Sequence, residues 1–157
     1  MRLFTLLFIT GLVTFSSAQL INESKNIIKD TKTNYLWQDN KAVKMELRDF
    51  KNAVNYCKNL ELDGQKGWKL PGFGELFSLV DTKSYNPTLF KGFKNFASDN
   101  YWTTKMFGHG ASHEAFVIDF KSGAFNRQLM DEKFFVRCCK NAFTIFKIQD
   151  FFKFTIF

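Results

Sequence analysis

The chain reads as an α+β domain: two helices packed on a curled antiparallel sheet with long loops. Three observations lead there. Helix-period apolar patterns fall early, strand-like runs dominate the later part, and turn signals separate them. The 157 residues suffice for one ordinary domain plus a targeting segment, but not for two full-sized domains. Hydrophobic residues at 45% and charged residues at 24% argue against a disordered chain, a collagen or a multi-span membrane protein. Aromatic content of 18%, carried by 21 Phe, predicts a Phe-packed interior and an adhesive surface. The net charge of +7 is scattered along the chain, which suits weak attraction to polyanions and argues against a nucleic-acid reader.

Taken in order, Met1-Arg2, the apolar run Leu3 to Phe15 and the small residues Ser16-Ser17-Ala18 read as a signal peptide over residues 1–18, cleaved after Ala18. The apolar run is shorter than the about 20 residues a spanning helix needs, so an uncleaved anchor is the weaker reading. Residues 19–28 form a lead. Lys29 to Asn34 reads as a turn into a strand at Tyr35-Leu36-Trp37-Gln38, ended by Asp39-Asn40. From Arg48 to Leu60, Phe50, Ala53, Val54, Cys57 and Leu60 line one face of an amphipathic helix. Asp63-Gly64 and Gly67 break it, and Trp68-Lys69-Leu70-Pro71 is extended because a residue before proline is pushed out of the helical region. A second helix begins near Gly74 and stops around Asp81, followed by a loop-rich stretch to Ser98. Tyr101 to Thr104 has strand composition, Ala115 to Phe125 reads as a hairpin around Lys121-Ser122-Gly123, and Phe134 to Cys138 reads as a further strand. Residues 141–157 form a Phe-rich tail with Phe143, Phe146, Phe151, Phe152, Phe154 and Phe157, read as an added edge strand, a membrane-surface helix or an unstructured segment.

The three cysteines are Cys57, Cys138 and Cys139. An exported chain permits disulfides. The adjacent two are strained as a pair, so Cys57 pairs with Cys138 or Cys139. Either closure spans about 80 residues and constrains the unfolded chain by roughly 4 kcal/mol, tying the first helix to the last strand.

A series of motifs in one order then carries a resemblance. Asp30-Thr31-Lys32-Thr33, Leu36-Trp37-Gln38-Asp39, Ala53-Val54-Asn55-Tyr56-Cys57, Gly67-Trp68-Lys69-Leu70-Pro71 with Glu75-Leu76, Ser98-Asp99-Asn100-Tyr101-Trp102-Thr103-Thr104, Gly123 and Val136-Arg137-Cys138 together resemble the bacterial Lcl C-terminal domain family, over residues 29–140. Lys69 stands where the family usually has arginine, and Thr103-Thr104 where it has two serines; residues 141–157 lie outside the pattern. The resemblance implies a C-type lectin-like fold, related to formylglycine-generating-enzyme-like domains, with the disulfide at Cys57 and Cys138. It also implies an exported or surface-associated adhesin module for sulfated polysaccharide.

Trp37, Trp68 and Trp102, with Pro71, occupy the family's motif positions. Their functional reading is sugar stacking, and the favoured one is a core that fixes loops, because Trp buries most of its area. His109 and His113 beside Glu114 have metal-ligand spacing if helical, but Gly108 and Gly110 oppose a helix, and no metal or cofactor is assigned. Asp99 and Asn100 resemble part of a calcium loop without the six to eight oxygens calcium takes. Lys66, Lys69, Lys91, Lys94, Lys105 and Lys121 are candidate sulfate contacts, against the plainer reading of a solvated basic face. Cys138-Cys139 after Arg137 faintly resembles the copper-binding thiols of formylglycine-generating enzymes, but one thiol is committed to the bridge. With no Ser-His-acid arrangement and no glycine-rich phosphate loop, the expectation is a non-catalytic, exported binding module, periplasmic or at the surface. Its expected partner is a sulfated or other anionic polysaccharide or an envelope component, not nucleic acid. The alternatives are an interaction subunit using the tail and, less favoured, an oxidase.

Overall fold

The computed structural model describes residues 20–108 and 113–142. The signal segment, His109 and the tail from residue 143 lie outside the described residues. In chain order the elements are β1 (Leu20–Ser24), β2 (Ile27–Asp30), β3 (Tyr35–Gln38), α1 (Ala42–Met45), β4 (Leu47–Arg48) and α2 (Phe50–Asn59). There follow α3 (Phe73–Phe77), β5 (Asn100–Met106), β6 (Glu114–Asp119), β7 (Phe125–Leu129), β8 (Phe134–Phe135) and β9 (Cys139–Asn141). The strands divide between two sheets, β1-β2-β3-β9 and β4-β8-β5-β6-β7. All pairings are antiparallel except the single parallel contact of β5 with β8.

The helix expected after Arg48 forms at Phe50–Asn59 because Asp49 caps it, its carboxylate accepting from the Asn52 N–H at 2.8 Å. Its apolar face buries Ala53 and Cys57. The period-two alternation of β5 and β6 then splits the core in two. Trp102, Ala115 and Val117 join Ala53, Cys57 and Trp68 in one cluster, while Tyr101, Ile118 and Phe120 join Trp37, Leu76 and Leu79 in the other.

Cys57 is bridged to Cys138, which fastens α2 to the chain just before β9, while Cys139 is a buried free thiol. The strand expected over Phe134 to Cys138 is interrupted after Phe135, because the backbone there crosses from one sheet to the other. Buried Arg137 fixes that crossing. Its guanidinium donates to the Gln38 carbonyl at 2.7 Å and the Asn95 carbonyl at 2.6 Å, pairs with Asp39 at 3.5 Å and stacks on Phe93 at 4.1 Å. Asp39 in turn accepts from the Lys94 and Asn95 N–H groups, so one buried ion pair holds the 93–95 loop.

Among the described residues there are three helices rather than the two expected: α1 is a single turn with one buried residue, Val43, too short to leave a periodic pattern. The helix expected to reach Asp81 ends at Phe77, since the Asp81 N–H is drawn to the Thr88 carbonyl at 2.7 Å and Val80 bridges Leu89.

Candidate functional site

The short helix α3 divides a basic groove from an aromatic face. On the groove side, the extended run ending at Pro71 is locked to β9, Lys69 exchanging both backbone hydrogen bonds with Cys139 at 2.9 Å. This holds the Lys69 side chain at the surface while Trp68, its Nε1 donating to the Gln65 carbonyl, is only 3% exposed beneath it. The Thr104 N–H donates to the Pro71 carbonyl and brings the outer half of β5 alongside. Val54, Lys58, Trp68, Lys69, Glu75 and Thr104 line a cavity of about 460 Å³. Lys140 lies 5.7 Å over the Trp68 ring and donates to the Lys66 carbonyl, and Lys58 and Lys69 line the cavity together with this buried tryptophan.

Glu75 organises this side. One carboxylate oxygen accepts from Lys69 Nζ at 2.5 Å and Tyr35 Oη at 2.7 Å, and the other accepts from the Gly72 N–H at 2.7 Å, which caps α3. Burial acts to raise its pKa, but these three donors outweigh it and hold the carboxyl below the usual glutamate value. Their own hydrogen bonds to Glu75 raise Lys69 and Tyr35 in turn. Glu75 is thus a positioning carboxylate with its lone pairs engaged. Cys139 Sγ lies 3.8 Å from it, and burial raises the pKa of that thiol, which favours its protonated form.

On the other side of α3, Phe73 stacks on Phe77 at 5.6 Å and meets Phe125 and Phe116 edge-on at 5.1 and 6.0 Å. Antiparallel registry, Phe116 opposite Arg127 and Ile118 opposite Phe125, puts these rings next to one another on the sheet face that α3 packs against. Phe107 and Phe125 are 42% and 55% exposed, an unusual burden for a small domain. Two cations border the rings. Lys105 Nζ stands 5.5 Å from the Phe73 ring and 5.4 Å from Phe116, and Arg127 lies 4.0 Å over Phe107. Arg127 also pairs with Glu114 at 3.7 Å.

Of the six lysines read from the sequence, the structure places Lys69 in the groove, where it pairs with Glu75, and Lys105 over the Phe73 and Phe116 rings, while Lys66 pairs with Glu61. Lys91 and Lys94 lie in or next to the loop held by Asp39, and Lys121 lies in the β6–β7 turn, its N–H bonded to Asp119. Sequence reasoning missed Lys58, Lys140, Arg127 and the phenylalanine face. The available signal was the pairing of Phe116 and Phe125 across a predicted hairpin with cations interleaved.

Trp37 and Trp102 are fully buried, and Pro71 is buried, so none of these motif residues offers a stacking surface. Trp102 Nε1 instead donates to the Arg48 carbonyl at 2.8 Å. His113 is exposed, and Asp99 accepts from the adjacent Asn100 N–H. Among the described residues no group of three or more His, Cys, Asp or Glu side chains is placed to hold a metal ion, and no helix is long and apolar enough to cross a membrane.

The model of the Lcl C-terminal domain family matches residues 26–140, most of the chain. No curated protein matches it.

Proposed function

The chain belongs to the Lcl C-terminal domain family, and on that premise we propose that it is a non-catalytic binding module for sulfated or otherwise anionic polysaccharide, working outside the cytoplasm. The observation that carries the reading is the position of Lys105. It stands over the Phe73 and Phe116 rings on one side of α3 and is next in sequence to Thr104, which lines the groove of Lys58 and Lys69 on the other, so cations for sulfate and apolar ring faces for sugar occur on both sides of this short helix. The scattered excess of basic residues adds a long-range field of the same sign. The family resemblance to an adhesin module supports the same ligand class, and the Cys57–Cys138 bridge fits an oxidising compartment.

Catalysis has no support at this surface. Its carboxylate, Glu75, is engaged by three donors, and its nearest thiol, Cys139, is buried. The test is binding of the oxidised protein to an array of sulfated and neutral polysaccharides at low salt and at about 0.15 M salt. Salt-sensitive binding that is restricted to sulfated chains and persists at the higher salt supports the reading. Equal retention of neutral and sulfated chains, or none of either, overturns it.

A further inference from the structure

The two sheets have four edges, and three of them are covered or cut short. β9 is covered by the run before Pro71, where Lys69 pairs with Cys139. β4 is two residues long, and β1 carries a register shift between Asn22 and Ser24 of the kind that blunts an edge. β7 differs: it ends its sheet, runs five residues in unbroken register with β6, and has no strand on its outer side among the described residues. The Asp119 N–H donates to the Ala124 carbonyl and the Met130 N–H to the His113 carbonyl. By antiparallel alternation Asn126 and Gln128 then bond β6, while Phe125, Arg127 and Leu129 turn their main-chain groups outward. The Leu129 carbonyl is taken by the Glu132 N–H at 3.1 Å, so the open stretch ends there. Phe125 and Leu129 are both more than half exposed, and an open apolar edge of this kind is a template for another strand.

The side chains of this edge specify their partner. Phe125, Arg127 and Leu129 share one face, an apolar, cationic, apolar pattern at period two. Residues 143–157 contain one acidic residue, Asp150, and Ile148 and Phe152 flank it at the same period. Setting Asp150 beside Arg127 puts Ile148 beside Phe125 and Phe152 beside Leu129, so the charge pair and both apolar pairs match at once. Arg127 stands 3.7 Å from Glu114, and a guanidinium carries five N–H donors, which leaves room for a second carboxylate. A second copy of β7 fits worse, because antiparallel pairing centred on Arg127 opposes two guanidiniums. The tail is also within reach. It leaves β9 at Asn141, opposite Tyr35, whose Oη bonds Glu75 of α3, and the Phe73 ring of that helix meets Phe125. The six residues from Ala142 to Ile148 span up to about 20 Å, against the about 10 Å width of a helix. That delivers Ile148 to the Phe125 end, with the tail running parallel to β7. We propose that residues 148–152 of this chain add a parallel strand to the β7 edge, with Asp150 paired to Arg127. The added strand lies beside β7 in the plane of the sheet, and the inference does not rest on the polysaccharide reading.

A charge swap in the oxidised protein with its tail intact tests this, read by amide hydrogen exchange over residues 148–152. In the parent these amides are expected to exchange more slowly than in the same sequence as a free peptide, and light scattering is expected to give a monomer. Asp150→Arg and Arg127→Asp are each expected to speed that exchange about fivefold, as for loss of an exposed ion pair across strands. The double variant Arg127→Asp/Asp150→Arg, which restores opposite charges, is expected to recover most of the protection. Asp150→Arg alters no residue of either core, so its effect is not a loss of the fold. Exchange at the free-peptide rate in the parent, no response to Asp150→Arg, no recovery in the double variant, or protection that appears only as the protein dimerises overturns the proposal.

Discussion

Lys105 Nζ stands 5.5 Å from the centre of the Phe73 ring, and Phe73 stacks on Phe77 one helical turn further along α3. The ammonium is thereby held over an exposed aromatic layer, with its remaining donors directed to solvent. Replacing Lys105 by Ala is expected to weaken binding to dextran sulfate about fivefold, as for a partly exposed charge, with little change in melting temperature. Lys94→Ala, in the loop held by Asp39, is the matched control and is expected to bind like the parent. Titration of both variants at one salt concentration reads the difference.

Glu75 makes the stability of this side of the molecule depend on pH. Its carboxyl titrates lower in the folded chain than its ordinary value near 4.5, so over that interval the unfolded chain holds more protons. The stabilisation is complete above the ordinary value and is lost as pH falls through the lowered folded value. Glu75→Gln is expected to be less stable than the parent at pH 7, with the deficit shrinking as the pH is taken below the ordinary glutamate value, which urea midpoints at pH 7 and pH 3 measure.

The bridge and the free thiol give a chemical signature. Without reductant, the native protein is expected to leave a thiol reagent unreacted, and after unfolding to titrate one thiol, that of Cys139. Cys57→Ser is expected to cost about 2–5 kcal/mol, read by denaturant unfolding.

Arg137 and Asp39 are both essentially inaccessible, so removing one leaves the other charge buried. Arg137→Leu is expected to cost about 3–5 kcal/mol and to raise amide exchange at Lys94 and Asn95, whose N–H groups bond to Asp39. Unfolding curves and hydrogen exchange check the two parts separately.

Much of the frame was legible in the sequence because it rests on local periodicity. Phe50, Ala53 and Cys57 mark α2, the run after Glu114 marks β6, and the ordered motifs from Trp37 to Cys138 identify the family. What escaped reading depends on long-range geometry. Nothing near Val136 signals that the backbone leaves one sheet for the other, since the cause is a guanidinium bonded to Gln38 and Asn95, distant in sequence. The six candidate lysines were equivalent on paper. Folding alone separates Lys69, bound to Glu75, from Lys105, set over two rings, and brings in Lys58, Lys140 and Arg127.

The central claim is that anionic polysaccharide lands across α3, on the groove and the phenylalanine face together. The most direct measurement is a map of backbone and lysine side-chain shifts on adding a short sulfated oligosaccharide at about 0.15 M salt. Shifts concentrated at Lys69, Lys105, Phe125 and Arg127 are the predicted result. Shifts confined to Lys91, Lys94 or Lys121, or no shifts at all, would contradict it.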